Sequence, residues 1–414
     1  GLTMASGRGA LGAALLAERA LDLLPTEPVL LAAAARCLSG AGRFRRVVQL
    51  TELARAGPEW LPLLEVAAAA ALEADDWPRV LQALARADQA LDGAPPSLEL
   101  ELVRANLHFR SGRLEDALVV LGAAPRSPPA GQLAPWLRLR GVQAEALMQA
   151  GDPERALGVL ALPEELGRGS PERALLYGIL GRLHWHAGRF LEASRAMERA
   201  ASESQGLSRV RRARLLNNAG AAAHRAGMPG LALQRWEEAL AAFELLGNQL
   251  EQIRLNVNLC LGFRDACRWQ RGQEAGEKAW AMATRRGEQA LRAMAAGNLG
   301  DLACAQGRWA NADSWYRIAG DLAETHDLPG ERVELARRRA ELAVRRDRPG
   351  AHLAALEAVR VAEEAGDELE LLLSQALLGV CAARRGQREQ ARALLDEAQA
   401  RLRELGAAAD MAQV

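Results

Sequence analysis

The stretch LSRVRRARLLNNAGAAAHRAGMPGLALQRWEEALAAFELLG, residues 207–247, decides the fold. It contains two segments whose apolar residues recur at spacings of three and four, as they do along one face of an α-helix. Leu216 and Ala219 belong to the first segment, Trp236 and Phe243 to the second, and the sequence AGMP joins them. Neither helix can bury its apolar face alone. The pattern therefore predicts a helical hairpin that needs copies of itself on both sides.

Copies of this hairpin recur along the chain. Each has a small residue in its first helix, a turn residue seven positions later and another small residue five positions after that. In the quoted stretch these residues are Gly220, Gly227 and Ala232, and the turns lie roughly 33 to 43 residues apart. The same frame occurs at Ala35/Gly42/Val47, Ala68/Asp75/Val80, Ala105/Gly112/Ala117, Ala144/Gly151/Ala156, Gly181/Gly188/Ala193, Gly300/Gly307/Ala312 and Gly379/Gly386/Ala391. Less regular copies are Ala340/Asp347/His352, which is degraded, and Gly262/Trp269/Ala275, which we interpret as carrying one extra residue.

The recurring residue types have a mechanical reason. A small residue where two helices cross lets their axes come close, towards the lower end of about 8–10 Å. Glycine at the turn ends the first helix in the left-handed conformation that glycine tolerates best. A large apolar residue usually follows two positions after the turn and is expected to fill the gap between neighbouring hairpins. Examples are Phe44, Trp77, Leu114, Phe190 and Trp309.

This order of small residue, turn, aromatic residue and alanine resembles the tetratricopeptide repeat family. The later Ala200, Ala239, Ala319 and Ala398 fit the same pattern, and the resemblance covers nearly the whole chain. The period exceeds the family's usual 34 residues and is most similar to the long-helix variety found in bacterial regulatory proteins. The resemblance implies an all-α fold, a right-handed α-solenoid of about ten antiparallel helix hairpins.

We expect a single solenoid over residues 1–406, followed by a C-terminal tail over residues 407–414. Residues 1–25 fit half a repeat or an N-terminal cap, because no first helix precedes them, which suggests a segment of a longer protein. The proline-rich residues 125–131 are the best candidate for a bend. The most regular repeats span residues 171–326.

Composition argues against several functional classes. Lys and Arg number 52 and Asp and Glu also 52, so no global field draws nucleic acid or an anionic membrane. No apolar run reaches the roughly 18 residues of a spanning helix. The five cysteines lie in predicted helices, their number is odd and no C-x-x-C occurs, which favours reduced thiols in a cytoplasmic protein.

No phosphate-binding, metalloprotease, serine-hydrolase or kinase motif occurs in the sequence. His184 and His186 are two residues apart, about 200° around a helix, so they cannot face one metal. We therefore expect no enzyme activity, no metal and no cofactor. Arginine clusters at 209–214 and 337–348 are interpreted as solvated, ion-paired surface, with nucleic-acid binding as the alternative.

In the family that the chain resembles, the first helices line a concave face that binds extended peptides or helices of partner proteins. The inward positions lie six and two residues before the small crossing residue, and one and four residues after it. They predict a peptide-binding or partner-binding groove on repeats five to eight. Its candidate residues are Arg182, Trp185, Arg214, Asn218, His224, Asn298 and Asp301, with Asn217 alongside Asn218.

Asn218 and Asn298 occupy the same repeat position, where related peptide-binding repeats place an asparagine that holds the ligand backbone. Such an amide can bond both the N–H and the C=O of an extended peptide. The lysines of the family's carboxylate clamp are missing, which makes capture of a C-terminal carboxylate doubtful. Alternatively, the two asparagines bond neighbouring helices. If they bind a ligand, alanine at both should weaken binding without changing the melting temperature.

Together these observations favour a non-enzymatic scaffold that binds a peptide or partner protein on its concave face. The alternative is a sensory or autoinhibitory region of a larger bacterial regulator. Its effector domain, a kinase, a STAND-type ATPase or a transcription factor, would then lie outside this segment.

Overall fold

The computed structural model describes residues 7–23, 27–55, 57–405 and 407 of the chain. Most of the predicted tail, residues 408–414, lies outside the described residues. Within the described part the chain forms twenty-one α-helices and no strand, which confirms the predicted all-α class. None of these helices is both long enough and apolar enough to cross a lipid bilayer.

After an initial helix, α1 (Gly7–Leu23), the helices follow in ten pairs. The first four pairs are α2 (Pro28–Gly40) and α3 (Phe44–Leu50), α4 (Leu61–Glu73) and α5 (Trp77–Leu91), α6 (Leu98–Arg110) and α7 (Leu114–Gly122), and α8 (Leu133–Gln149) and α9 (Pro153–Leu160). The next three are α10 (Pro171–His186) and α11 (Phe190–Ser202), α12 (Arg209–Arg225) and α13 (Pro229–Leu245), and α14 (Gln249–Asp265) and α15 (Trp269–Arg286). The last three are α16 (Gln289–Ala305) and α17 (Trp309–Thr325), α18 (Pro329–Arg345) and α19 (Ala351–Ala365), and α20 (Glu368–Arg384) and α21 (Arg388–Glu404).

The helices pack into two compact units. Unit 1 contains residues 1–183 and 203–208, and unit 2 contains residues 184–202 and 209–414. Within each unit a helix packs mainly on its neighbours in sequence, as α4 does on α5 and α12 does on α13. In both units the first helices of successive hairpins also contact one another, as α6 does with α8 and α14 does with α16. A single solenoid over residues 1–406 stays a prediction.

Unit 1 has a core of alanine and leucine, with Leu31, Leu63 and Leu100 fully buried. This core also buries Trp136 of α8, whose Nε1 donates a hydrogen bond to the Pro125 carbonyl at 2.8 Å. The guanidinium of Arg140 lies 4.8 Å from the Trp136 ring centroid and donates to the same carbonyl. These contacts attach the start of the proline-rich segment 125–131 to α8.

The predicted turn residues adopt the left-handed backbone conformation. Gly227 has φ 75°, and eight further predicted turn positions also have positive φ. They are Gly42, Asp75, Gly112, Gly151, Gly188, Gly307, Asp347 and Gly386. The frame that places these turns is therefore confirmed in nine repeats.

The seventh repeat corrects the sequence analysis. Its turn residue is Cys267, with φ 55°, between the end of α14 at Asp265 and the start of α15 at Trp269. Counting back seven residues places the crossing at Cys260, so the predicted frame at Gly262 is wrong by two residues and no extra residue is present. The frame was missed because a cysteine stands where other repeats carry glycine or aspartate. Cys267 accordingly lies in a turn, although the sequence analysis placed it in a helix.

Each hairpin of unit 2 with a small crossing residue has a larger side chain sixteen positions later. A Cβ added to Gly220 would lie 2.6 Å from the Trp236 ring, and Gly379 faces Leu395 at 3.0 Å in the same way. In the seventh repeat the larger residue, Cys260, lies on the first helix and the small residue, Gly276, on the second. A Cβ added to Gly276 would lie 2.9 Å from the Cys260 Sγ. Close helix crossing therefore depends on a matched pair of sizes, and glycine supplies the small partner on either helix.

Candidate functional site: the inner wall of unit 2

The first helices of unit 2 line a cavity of about 490 Å³. Most of its wall comes from the end of α10 and from α12, α14, α16, α18 and α20, and the second helices α13 and α17 add Trp236 and Tyr316. Apolar side chains on the cavity include Trp185, Leu261, Met294 and Leu373. The charged and polar lining residues include His224, Arg225, Asn258, Arg264, Asp265, Asn298, Asp301, Tyr316, Glu334, Arg337, Arg338, Glu341, Arg345 and Glu370.

Asp301 of α16 is the centre of the charged wall. Its Oδ2 lies 3.2 Å from Arg264 Nη1 on α14 and 3.2 Å from Arg338 Nε on α18. Tyr316 donates its hydroxyl to Oδ1 at 2.8 Å. Burial raises the pKa of the Asp301 carboxyl, but Arg338 and Arg264 outweigh that effect and hold the pKa below its usual value. The carboxylate thus stays ionised between two arginines from neighbouring hairpins.

The charged contacts continue from Asp301 towards α12. Arg264 donates from Nε to Asp265 Oδ1 at 2.7 Å. The other oxygen of Asp265 lies 2.6 Å from His224 Nε2, which belongs to α12. Three successive first helices, α12, α14 and α16, are therefore tied together through charged side chains.

On the other side the network reaches α18 and α20. Arg338 donates from Nη2 to the Asn298 side-chain oxygen at 3.2 Å and lies 2.9 Å from Glu334. Its neighbour Arg337 donates to Glu370 on α20 at 2.7 Å and to Glu341 at 3.3 Å. We call the set from His224 to Glu370 the charged ladder, because it connects five first helices.

Part of the second arginine cluster is buried, although the sequence predicts a solvated surface there. Arg338 is only 6% exposed, and the Arg337 side chain is 13% exposed. Arg339 is exposed on another side of α18. The interpretation as a solvated surface is wrong for Arg337 and Arg338, although both are ion-paired as expected. Consecutive helical residues diverge by 100°, so one triplet supplies both buried and exposed arginines.

Four of the eight predicted site residues lie together on the cavity: Trp185, His224, Asn298 and Asp301. The other four do not line it. Arg214 is exposed and lies 3.2 Å from Glu251, while Asn217 and Asn218 are half-buried, and Asn217 accepts a hydrogen bond from Asn258. Arg182 belongs to unit 1, where it pairs with Glu145. Ligand binding by these residues stays a prediction.

Asn298 already has two partners in neighbouring helices. Its amide donates to the Val257 carbonyl of α14 at 3.1 Å, and its oxygen accepts from Arg338 of α18. Asn298 therefore bonds neighbouring helices, as the alternative to ligand binding predicts. Substituting it would disturb the wall, so unchanged melting is no longer expected for an Asn298 variant.

The inward-position rule also finds residues that the sequence analysis missed. Counted from Cys260 it gives three cavity residues, Asn258, Leu261 and Arg264, and counted from Ala340 it gives three more, Glu334, Arg338 and Glu341. The rule also gives Arg254 and Val344, which do not line the cavity. The first three were missed with the frame of the seventh repeat. The other three were missed because the ninth repeat was read as a charged surface.

Chemically, the wall combines neutralised charges with apolar side chains. Its carboxylates face arginines or a histidine, which fixes their positions. No group of three or more His, Cys, Asp or Glu side chains within the described residues is arranged to hold a metal ion. All five cysteines are free thiols, and burial, with the Glu341 carboxylate, raises the pKa of Cys304 in the cavity wall to about 11. Such a surface is suited to binding a ligand of mixed polarity.

No protein-family model matches the chain, and no curated protein matches it. Solved structures do match. A Rap protein complexed with Competence and Sporulation Factor superposes with a TM-score of 0.51 at 13% identity, over 86% of this chain and 95% of that one. The Rap conjugation gene regulator of plasmid pLS20, in complex with the Phr* peptide, has a TM-score of 0.51 at 11% identity, over 84% and 86%.

A STAND protein with a tetratricopeptide repeat sensor, from Pyrococcus horikoshii, has a TM-score of 0.52 at 13% identity. The match covers 94% of this chain but only 55% of that protein's length. At these identities the likeness concerns the fold. Together with the repeat frame and its turns, it shows that this chain has the fold of the tetratricopeptide-repeat solenoids.

Proposed function

We propose that unit 2 binds a peptide, or an extended segment of a partner protein, in its cavity, and that the protein acts through this interaction without catalysing a reaction. The observation that carries the proposal is the cavity itself, whose wall contains both apolar side chains and charges that the ladder holds in place. Its volume of about 490 Å³ falls within the roughly 300–1,000 Å³ of typical ligand sites.

The similar structures support this proposal. One Rap protein was solved with Competence and Sporulation Factor and another with the Phr* peptide. Both share the fold of this chain, so a solenoid of this kind can hold a peptide ligand. The identity of 11–13% leaves the ligand of this chain to be determined from its own cavity.

Leu261 and Met294 are the best candidates for direct contact with a ligand. Both line the cavity and both are half-buried, so part of each side chain is accessible. The charged ladder contributes differently, because its members are occupied with one another. We propose that the ladder shapes the cavity and that Trp185, Leu261 and Met294 supply most of the contact area.

Peptide selection tests the proposal without a known ligand. Peptides would be selected from a random phage-displayed library against the immobilised full chain. The selected peptides would then be synthesised, and their binding measured by fluorescence anisotropy. Leu261→Arg and Met294→Glu should each weaken binding at least tenfold, about 1.4 kcal/mol. Leu353→Glu is the matched control, since Leu353 is 70% exposed on α19 and does not line the cavity. Equal binding by all variants, or no selected peptide, would contradict the proposal.

A second candidate function is the sensory or autoinhibitory region of a larger regulator, working in the cytoplasm. The match to 55% of a STAND protein that has a tetratricopeptide repeat sensor favours it. In this case the cavity would receive the signal and an effector domain would respond. Sequencing the coding region around this segment, together with the intact mass of the natural product, tests this candidate. A natural product of 414 residues would contradict it.

A further inference from the structure

The first and last hairpins of unit 2 touch through apolar side chains. Leu402 in the last turn of α21 and Ala407 beyond the helix are completely buried in one cluster with Phe190 at the start of α11. A Cβ added to Gly188 would lie 3.5 Å from the Leu405 Cβ, so the backbone of this turn rests on Leu405. We call this cluster the closure contact; Gly188, Phe190, Leu402 and Leu405 form its centre, and Trp185 and Leu373 lie on its cavity side.

The closure contact is also part of the cavity wall. Trp185 and Leu373 belong to both, and the Trp185 ring packs edge-on against Phe190 with centroids 5.1 Å apart. A solenoid held only by contacts between consecutive repeats has two free ends. In unit 2 the ends meet beside the cavity, and separating them would displace the part of its wall that Trp185 and Leu373 form.

We infer that the closure contact is a gate for the ligand of the cavity. The gate opens when Leu402 and Leu405 move away from Gly188 and Phe190, and a ligand enters and leaves through the gap. This inference rests on the proposed binding function, which it extends to the control of exchange. The closed state holds through a small set of apolar contacts, whereas the charged ladder holds consecutive hairpins together in both states.

Two natural cysteines make the gate measurable without a ligand. Cys304 lines the cavity and is 4% exposed, so its alkylation by iodoacetamide should report opening of the cavity. Cys260 is fully buried between α14 and α15 and should report only general unfolding. Mass spectrometry of digested protein gives the alkylation rate at each site. Leu405→Asp should increase the rate at Cys304 at least tenfold and leave the rate at Cys260 unchanged.

A disulfide provides the opposite perturbation. The 3.5 Å Cβ separation lies at the lower end of disulfide geometry, so Gly188→Cys with Leu405→Cys should cross-link the gate on oxidation. A Cys267→Gly background would remove the exposed natural thiol. We expect Cys304 alkylation to slow at least tenfold in the oxidised form and to recover on reduction. The two single variants, treated with the same oxidant, are the controls.

The outcomes separate the gate from the binding function. Equal Cys304 rates in all variants, or parallel increases at Cys304 and Cys260, would overturn the gate. If the rates respond but no selected peptide binds, the proposed function fails while the gate stands. If peptides bind, cross-linking should slow their association and dissociation together, and unchanged peptide kinetics would overturn the gate as the ligand's route.

Discussion

Asp301 is the residue on which the inner wall depends most. Two arginines from different hairpins, Arg264 and Arg338, meet at one of its oxygens, and Tyr316 donates to the other. Removing one partner of a buried ion pair is costly, because the remaining charge has lost its compensation. The wall therefore owes its shape to a carboxylate that contacts three other helices.

We predict that Asp301→Asn lowers the free energy of unfolding by about 3–5 kcal/mol. The substitution keeps the side-chain shape but takes from Arg264 and Arg338 the carboxylate they share, so that each keeps one carboxylate partner, Asp265 or Glu334. Urea denaturation followed by circular dichroism measures this loss. Glu357→Gln serves as the control, since the exposed pair of Glu357 and Arg360 should leave the denaturation midpoint unchanged. A variant at Asp301 as stable as the wild type would show that the arginines do not depend on it.

Glu331, at the start of α18, makes stability depend on pH. Burial and the neighbouring Glu334 carboxylate raise the pKa of Glu331 from 4.5 to about 7, against the attraction of Arg338. Between these two values the unfolded chain releases the proton more readily than the folded chain, so stability falls as pH rises. Glu331→Gln cannot ionise and should remove this part of the pH dependence.

The variant should therefore match the wild type below the unfolded pKa of 4.5 and exceed its unfolding free energy at pH 8 by roughly 1–3 kcal/mol. Unfolding in urea at about five pH values between roughly 4 and 8 gives both curves. Glu363→Gln, on the exposed side of α19, should change neither curve. Identical pH profiles for wild type and Glu331→Gln would refute the prediction.

Part of this site could be predicted from single residues. The inward-position rule selected His224, Asn298 and Asp301 correctly as cavity residues, because side-chain direction on a helix follows from spacing alone. The rule could not predict which side chains form ion pairs with one another. His224 meets Asp265, and Arg338 meets Asp301, across 41 and 37 residues. The pairing depends on the axial offset between neighbouring hairpins, and residue spacing within one hairpin does not determine this offset.

At the scale of elements, the hairpin crossing depends on size. Gly220 lies so close to Trp236 that a single added methyl group would meet the ring at 2.6 Å. We predict that Gly220→Ala lowers the unfolding free energy by about 1–3 kcal/mol, although alanine favours helix formation. Gly230→Ala on α13 is the matched control, since its Cβ would meet nothing within 4 Å. Thermal unfolding should show opposite shifts, and a stabilised Gly220→Ala would contradict the role of the crossing.

The turn of the seventh repeat permits the reverse experiment. Cys267 adopts φ 55°, a conformation that costs a residue with a Cβ about 1–2 kcal/mol. Cys267→Gly should therefore stabilise unit 2 by about 1 kcal/mol. The reciprocal change, Gly307→Ala, places a side chain at φ 70° in the next repeat and should destabilise by a similar amount. Denaturation midpoints that move in the same direction for both would contradict this account.

The elements themselves were largely predictable, and the failure at the seventh repeat has a physical cause. The frame depends on a residue that tolerates left-handed backbone, and glycine or aspartate marks nine of the turns. Cys267 takes the same conformation without that chemical signature, so the turn could be recognised only from the ends of α14 and α15. The crossing position was also unrecognisable from the frame, because its small residue, Gly276, lies on the second helix and faces Cys260 on the first.

At the scale of the molecule, closure within unit 2 was beyond sequence analysis. Gly188 and Leu405 lie more than two hundred residues apart, yet their backbone segments touch. The curvature of a solenoid is the sum of small rotations between successive repeats. Small differences in each rotation therefore add up along unit 2 and decide whether its ends meet. Local patterns predict each hairpin but not this sum.

The distribution of buried residues predicts an uneven stability within unit 2. Helices α16 and α21 both contain seventeen residues, but α16 buries eleven of them and α21 only three. Local opening is least costly where few contacts are lost. The amides of α16 should therefore exchange only when unit 2 unfolds as a whole. Those of α21 should exchange at least tenfold faster, because α21 can detach at the closure contact while the charged ladder keeps the other hairpins in place.

Hydrogen–deuterium exchange with mass spectrometry, at pH 7 and in low concentrations of urea, measures this difference directly. Leu405→Asp should increase exchange in α21 and leave α16 unchanged, whereas Asp301→Asn should increase exchange in α16. If α21 is as well protected as α16 in the wild type, the closure contact is stronger than its few apolar side chains indicate. It would then hold unit 2 permanently shut, and a ligand would have to enter the cavity without separating its ends.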